Sequence, residues 1–287
     1  MNTKTKTKSG ELPFLLPMFL WTAVFVVLPI AYTVIISFTK SDRNGGYVFT
    51  FTFDNYVNLA NGTAVYTLRR SLGLAAGTTA LTFLLALPFS CAVNGMKSRW
   101  RSAVMFLIII PFWTNSLIRT YGLISLMQGN GFINSALMSM GLIRSPLPLL
   151  YNEWAVLFGM VYSFVPFMIL PIYAALGRVD RSIPEAARDL GARRFRTFWS
   201  VTLPGILPGI LSGVVLVFVP SVGMYFISDL MGGGNRMYLG DAIQYYSANG
   251  RNRPFAAALS VVMLTLAGIF IAIYRKISGK SEPMGIV

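Results

Sequence analysis

Charged and aromatic side chains are concentrated in one stretch, Glu185 to Pro204, which lies between two long apolar segments. Its first part predicts a short helix that starts at a capping Ser182 and ends at Gly191, where glycine suits a left-handed turn. One face of this helix is apolar and shallow, formed by Ile183, Ala186, Ala187 and Leu190. Charged residues lie off that face, namely Glu185, Arg188 and Asp189. A small apolar face flanked by charges favours docking against a partner.

Catalytic chemistry finds little support in the residues present. The sequence has no histidine and a single cysteine, Cys91, within an apolar run. The usual general base and the commonest metal ligand are therefore missing, and neither a disulfide framework nor a metal site is expected. The sequence also lacks a GxxxxGK[ST] phosphate loop. We therefore expect no catalytic residue, no metal and no cofactor in this chain, which makes an integral membrane enzyme a weak alternative.

The second part of the stretch predicts another amphipathic helix. One side of this helix carries three aromatic residues and a threonine, namely Phe195, Phe198, Trp199 and Thr202. The arginines Arg193, Arg194 and Arg196 lie on other sides of the helix. Aromatic rings at the lipid boundary and arginines at anionic headgroups are typical of an interfacial helix. We expect Pro204 to end this helix before the next apolar segment.

The composition is that of a membrane protein. Of 287 residues, 55% are hydrophobic and 12% are charged, whereas soluble domains carry about 25% charged residues. A helix that crosses a bilayer needs about 20 apolar residues, and six segments qualify: 14–38, 71–95, 103–127, 152–176, 206–230 and 254–275. We therefore predict an all-α integral membrane protein with six transmembrane helices. Prolines within four of these segments favour a protein that moves or encloses a pathway.

Lysine and arginine indicate the orientation of the chain. With a cytoplasmic N-terminus, 15 of them lie on the inner side and 8 on the outer side, and Arg119 lies within a span. The positive-inside rule then places both termini in the cytoplasm. The predicted organisation is a cytoplasmic tail at 1–13, a six-span domain at 14–276 with a cytoplasmic loop at 177–205, and a cytoplasmic tail at 277–287. The net charge of +14 is assigned to these loops, not to nucleic acid.

The loop contains a recognisable pattern of spaced residues. Glu185-Ala186-Ala187, three residues, Gly191, nine residues and Val201-Thr202-Leu203-Pro204 resemble the EAA loop of bacterial binding-protein-dependent ABC importer permeases, with Val201 in place of the usual isoleucine. The resemblance implies a type I ABC importer permease in the bacterial inner membrane. It also implies a coupling helix that docks on an ATP-binding subunit, formed by Glu185, Ala186, Ala187, Asp189, Leu190 and Gly191. ATP and magnesium would be bound and used by that partner.

Three further strings narrow the resemblance. PFWTNSLIRTYG from Pro111, SDLMGGG from Ser228 and FTFDNYVNL from Phe51 are similar to permease subunits of spermidine/putrescine importers. This resemblance implies a polyamine substrate, a lipid bilayer environment, a second homologous permease, an ATP-binding cassette dimer and a periplasmic substrate-binding protein. The Asp54–Tyr56 segment could help to receive that binding protein or could be a solvated loop.

Polyamines are flexible polycations, so aromatic faces, carboxylates and amide oxygens suit them as partners. Residues of these types lie in the third and fifth spans, and we expect them to line the pathway: Trp113, Asn115, Tyr121, Tyr225 and Asp229. Arg119 is a fixed cation in the same region, and a structural or gating role fits it, with pairing to Asp229 as one possibility.

Two other functions remain open at this point. A permease of the same fold could carry another small solute, such as an opine, an amino-acid derivative, thiamine or iron. A passive channel would conduct without ATP, and it would leave the coupling helix without a purpose.

Overall fold

The computed structural model describes residues 12–42, 46–60, 62–180, 182–234, 237–248 and 252–278, with side chains from 16 to 277. The α-helices are α1 Leu12–Thr22, α2 Leu28–Ser37, α3 Asp54–Leu59, α4 Gly62–Gly95, α5 Ser98–Ile109, α6 Ser116–Met127, α7 Phe132–Ser139, α8 Glu153–Arg178, α9 Ser182–Asp189, α10 Arg194–Thr197, α11 Leu203–Gly223, α12 Phe226–Gly232, α13 Leu239–Ala248 and α14 Arg253–Ser278. Two short strands, β1 Lys40–Ser41 and β2 Tyr47–Val48, pair antiparallel. The all-α prediction is confirmed, and this hairpin is the small exception.

Within the described ranges, five helical segments are long and apolar enough to cross a membrane. They are Leu16–Ser37, Gly62–Gly95, Glu153–Arg178, Arg194–Gly223 and Arg253–Ile277. A sixth crossing results if the pair Ser98–Trp113 and Ser116–Ser139 is counted as one span, although its two parts are bent by 98°. A straight third span at 103–127 was therefore wrong. The orientation and the domain boundaries stay predictions, and residues 1–11 and 279–287 of the two tails lie outside the described part of the chain.

The third span is broken by its own sequence, PFWTN. A 3₁₀ turn, Ile110–Trp113, follows α5, and Thr114 is extended with φ −89° and ψ 149°. The Thr114 hydroxyl donates to the Pro111 carbonyl at 2.7 Å. Asn115 then caps α6, because its Oδ1 accepts from the Leu117 N–H at 2.9 Å. Each of these residues satisfies backbone groups that a straight helix would have satisfied itself.

The chain divides into two compact units, of which Met1–Ala64 with Ile243–Val262 is one. In this unit the segment before α4 is fastened to the end of α2. Asn55 is buried, and its Nδ2 donates to the carbonyls of Ser37 and Thr39 at 3.0 and 2.8 Å. The Tyr56 hydroxyl shares a hydrogen bond with Ser37 Oγ at 2.7 Å. The buried Asn55 therefore has a structural role, whereas Asp54 is exposed, and a role of this segment in receiving a binding protein stays a prediction.

The second unit, Val65–Ala242 with Met263–Val287, has its core where α8 packs along α11. Two glycines on α11 allow close approach. A Cβ atom on Gly209 would lie 2.6 Å from the Pro171 carbonyl oxygen, and one on Gly213 would lie 2.6 Å from Met168 Sδ. Small residues at such spacing let two membrane helices pack backbone against backbone.

The interfacial helix and the fifth span form one continuous helical segment, Arg194–Gly223. The prediction that Pro204 breaks the helix was wrong. A π-helical turn, Phe198–Thr202, precedes the proline, and the Leu203 N–H donates to the Phe198 carbonyl five residues back. A wider turn accommodates a residue that lacks an N–H group. The predicted span 206–230 instead ends at Gly223, and extended Met224 leads into α12.

Candidate functional site

The predicted coupling helix is present as α9. Ser182 was predicted to be the N-cap, which would make residue 183 the first helical residue. In the structure the helix already begins at Ser182. The capping oxygen comes from Asp180, whose Oδ1 accepts from the Ser182 N–H at 3.0 Å. Hydrogen bonds from the backbone and side chain of Ser182 lower the pKa of Asp180. The carboxylate therefore satisfies a backbone donor at the start of the helix, where negative charge is also favoured.

The end of α9 has the left-handed turn that the sequence predicts. Gly191 has φ +84°. The Ala192 N–H donates to the Ala187 carbonyl at 3.0 Å, and the Gly191 N–H donates to the Arg188 carbonyl at 2.9 Å. These two hydrogen bonds form a Schellman motif. Since a Cβ atom on Gly191 would meet nothing within 4 Å, glycine is needed here for its backbone conformation alone.

The apolar face of α9 is open. Leu190 is 89% exposed and Ile183 is 56% exposed, and Ala186 is also exposed. Glu185 and Asp189 face solvent on the same helix. Beside the helix lies a recess of about 360 Å³ lined by Ala187, Leu190, Gly191, Ala192, Arg196, Thr197, Ser200 and Val201. A surface of this kind suits docking of another protein.

The predicted pathway residues come from two separate strings that the fold brings to neighbouring helices. The helix α6 packs against α12, and both pack against α8. Tyr225 and Asp229 lie one turn apart, on the side of α12 opposite the buried Ile227 and Met231. Tyr225 is 41% exposed, and Tyr121 on α6 is 57% exposed. Exposed aromatic and acidic side chains therefore lie on two helices that are in contact.

Arg119 does not neutralise this surface. Its guanidinium carbon lies 4.6 Å from the centre of the Phe112 ring, and Phe112 packs edge to face on Phe167 of α8. The Arg119 Nε is buried without a hydrogen-bond partner. The structure describes both Arg119 and Asp229, and it contains no ion pair between them. The possible pairing of these residues is therefore wrong in this conformation, and a cation–π contact takes its place.

Trp113 and Asn115 lie at the break of the third span. Trp113 is 77% exposed and contacts Phe106 edge to face at 6.1 Å. Asn115 is exposed, but its Oδ1 already accepts from the Leu117 N–H in the first turn of α6. Because the axis turns by 98° here, the depth of later residues does not follow from a straight rise along the span. A role of either residue in contacting substrate stays a prediction.

The sequence analysis missed Asp241, which holds α12 to the start of α13. Its Oδ1 accepts from Ser228 Oγ at 2.6 Å, and its Oδ2 accepts from the Tyr238 N–H at 3.0 Å. Burial raises the pKa of Asp241, the two hydrogen bonds oppose this, and the nearby charge of Asp229 adds to it. The only signal in the sequence was an acidic residue in an outer connection; the Tyr238 N–H lies three residues away, but Ser228, which links Asp241 to α12, lies thirteen residues away and could not be inferred.

The sequence analysis also missed Arg70 of α4, which contacts Tyr238 and the start of α8. It pairs with Glu153 at the start of α8, and its guanidinium carbon lies 5.4 Å from the ring centres of Tyr66 and Tyr238. The Leu239 N–H donates to Ser71 Oγ at 2.7 Å. The chain that returns after α12 is thereby tied to α4.

The glycine string at the end of α12 has a steric purpose. Gly233 has φ +67°, and a Cβ atom there would lie 2.7 Å from the Tyr151 ring. Tyr151 itself has φ +62°, and its N–H donates to the Met231 carbonyl at 2.9 Å. A strained residue and a glycine therefore fix the end of the helix that carries Asp229.

Residues 84–281 match the family described as binding-protein-dependent transport system inner membrane component, and the chain belongs to this family. Among its relatives, the spermidine/putrescine transport system permease protein PotB of Haemophilus influenzae is 37% identical, over 90% of this chain and 91% of the relative. PotB of Escherichia coli K12 is 36% identical, over 90% of this chain and 94% of the relative. These relatives are transport permeases, in keeping with a non-catalytic, multi-pass membrane subunit.

Solved structures confirm the fold. A bacterial alginate ABC transporter, crystallised with an alginate pentasaccharide-bound periplasmic protein, has a chain that matches with a TM-score of 0.75 at 17% identity, over 96% of this chain and 95% of that one. The methionine ABC transporter MetNI matches with a TM-score of 0.52 at 16% identity, over 78% of this chain and 100% of that one. The predicted type I ABC importer permease architecture is therefore confirmed.

Proposed function

We propose that this chain is the permease subunit of an ATP-driven importer for polyamines, spermidine and putrescine, in the bacterial inner membrane. The observation that carries the substrate class is the exposed Asp229 carboxylate, which lies one turn from Tyr225 and is not paired with Arg119. Relatives named for spermidine and putrescine, similar along nine-tenths of this chain, support the same substrates.

The exposed surface of α6 and α12 fits a polyamine chemically. Each ammonium group can donate to a carboxylate and lie over an aromatic face, and the methylene spacers pack on apolar rings. Asp229 supplies the charge, and Tyr121 and Tyr225 supply aromatic rings. Trp113 adds the most exposed ring near the break of the third span. A second permease facing this surface would close the pathway.

The coupling helix gives the route for energy input. Its open Leu190, small Ala186 and Ala187, and solvent-facing Glu185 and Asp189 suit insertion into a cleft of an ATP-binding subunit. Gly191 ends the helix so that the chain can turn into Arg194–Gly223. ATP and magnesium are bound by that partner, and a periplasmic substrate-binding protein delivers the polyamine from outside. Closure of the ATPase dimer would draw two coupling helices together and open the pathway outward.

Uptake of radiolabelled spermidine tests the proposal. The chain is expressed with its partner subunits in bacteria that lack polyamine importers, beside Glu185→Ala, Gly191→Pro and a control, Gly177→Ala, at an exposed helical position outside the recess, where a Cβ atom meets nothing within 4 Å. We expect ATP-dependent uptake by the wild type and the control, and loss of uptake in the two coupling variants at equal membrane abundance. An assembled complex that hydrolyses ATP but takes up neither spermidine nor putrescine would overturn the polyamine assignment and leave the importer fold.

A further inference from the structure

The chain after α12, the helix that carries Asp229, is fastened to α4 at the start of α13. Tyr238 lies against the Arg70 guanidinium, and the next residue, Leu239, donates its N–H to Ser71 Oγ. Ser71 and Leu239 are both buried. The start of α13 is therefore fixed on α4 by one side-chain contact and one backbone hydrogen bond.

Asp241 connects this fixed point to α12. One carboxylate oxygen accepts from the Tyr238 N–H at 3.0 Å, and the other accepts from Ser228 Oγ at 2.6 Å. Ser228 is buried and immediately precedes Asp229. Gly240 makes the arrangement possible, since a Cβ atom there would lie 2.6 Å from the Gly223 carbonyl oxygen and 3.0 Å from Tyr225 Cβ.

We propose that Asp241 is a positioning residue, which acts through Ser228 to hold Asp229 and Tyr225 where they contact the cationic substrate. The inference rests on the proposed function. In this proposal Asp241 fixes the distance between α12 and the start of α13. Asp241 does not contact the substrate, because both of its carboxylate oxygens already accept hydrogen bonds from the protein.

The hydrogen bonds predict how substitutions at this position differ. Asparagine can reproduce both, since its oxygen can accept from the Tyr238 N–H and its amide can donate to Ser228 Oγ. Alanine removes both. A positioning role therefore predicts that Asp241→Asn is mild and Asp241→Ala is severe, whereas a direct charge on the substrate predicts that both are severe.

Kinetics of spermidine uptake separate these roles. We expect the KM to rise about tenfold in Asp241→Ala, which is the scale of losing one net hydrogen bond, and several-fold in Ser228→Ala. The KM should stay within about twofold of the wild-type value in Asp241→Asn. It should also stay within about twofold in Gln244→Ala, a control on the same helix. In an Asp229→Asn background, Asp241→Ala should raise the KM less than it does in the wild type, because only the position of Tyr225 is then still affected. Equal losses in Asp241→Asn and Asp241→Ala, or additive losses in the double variant, would overturn the inference.

A second measurement reads the position of residue 229 without any substrate. The single cysteine, Cys91, is replaced by serine and Asp229 by cysteine in the assembled complex, and the rate of thiol modification by a charged methanethiosulfonate is measured. We expect the rate to change at least threefold when Asp241→Ala is added and to stay unchanged with Asp241→Asn. Unchanged rates in both would overturn the positioning role even if the wild type transports polyamines. Failure of uptake with the expected rate change would overturn only the proposed substrate.

Discussion

The Arg119 guanidinium lies over the Phe112 ring at 4.6 Å, and not against Asp229. A cation held on an aromatic face is stabilised without consuming a carboxylate. The Asp229 carboxylate is therefore not paired with Arg119, although that arginine lies on the neighbouring helix.

This relationship predicts different results for two variants of α6 and α12. Asp229→Asn should raise the KM for spermidine by about ten- to a hundredfold, since a hydrogen bond to a charged group contributes ~1.5–3 kcal/mol. Arg119→Met should leave that KM nearly unchanged, because the cation is seated on Phe112. Uptake kinetics at equal membrane abundance measure both, and Asp42→Asn, at an exposed acidic residue outside the spans, is the control. An equal rise in KM for Arg119→Met would show that Arg119 acts together with Asp229.

Gly191 predicts a defect in coupling that is caused by backbone conformation alone. Gly191→Ala should cost ~1–2 kcal/mol at the end of α9, because an L-residue resists the left-handed region. We expect reduced uptake and weaker stimulation of ATP hydrolysis by the binding protein. Gly177→Ala is the matched control, since a Cβ atom there also meets nothing within 4 Å but the residue is helical. Equal behaviour of the two variants would contradict the role of the turn.

Asp241 predicts a dependence of stability on pH. Its pKa is raised mainly by burial, so the folded protein keeps a proton over a range in which the unfolded chain, with a pKa of about 3.9, has lost it. The stability of the wild type should therefore fall as pH rises from about 3.9 through the raised folded value, and it should then level off.

Asp241→Asn should lack this fall, because it carries no titrating proton. Melting of the solubilised complex between acidic and neutral pH, followed for wild type and variant, measures the difference between them. The advantage of the wild type should be largest at acidic pH. A difference that stays constant across the range would show that the pKa of Asp241 is the same in the folded and unfolded chains.

The close approach of α8 and α11 predicts the steric sensitivity of Gly209. Gly209→Val places side-chain carbons against the Pro171 carbonyl oxygen, and overpacking of this kind costs ~1–3 kcal/mol. We expect lower membrane abundance and a lower melting temperature. Gly73→Val, where a Cβ atom meets nothing within 4 Å, should have a small effect. Normal abundance of the Gly209 variant would show that the two helices can separate without loss of stability.

Apolar length and spacing were enough to predict most of the helices, including α9. Gly191 adopts the left-handed turn that its position after Leu190 indicates. The third span was predicted as straight because hydropathy measures how apolar a segment is and not the direction of its axis. The bend depends on Thr114 and Asn115, whose side chains satisfy backbone groups locally.

The candidate site was predictable only in its residue types. Tyr121 and Asp229 were chosen for chemistry, and their helices meet because α6 and α12 share α8 as a packing partner. Asp241 could not be found from the sequence, because its role depends on Ser228, thirteen residues away, and on a turn that includes Gly240. Contacts at such separations are made by tertiary packing, which no local pattern encodes.

The close approach of α8 and α11 at Gly209 and Gly213 affects how the loop at 177–205 can move. This loop joins α8 to Arg194–Gly223, so it is the tip of a helical hairpin whose two arms interlock at Pro171 and Met168. Sliding of one arm along the other would push the backbone of one helix into side chains of the other, so we expect a displacement of the tip to tilt the two arms together. A displacement of α9 would then also move the opposite end of the hairpin, where Met224 leads into α12.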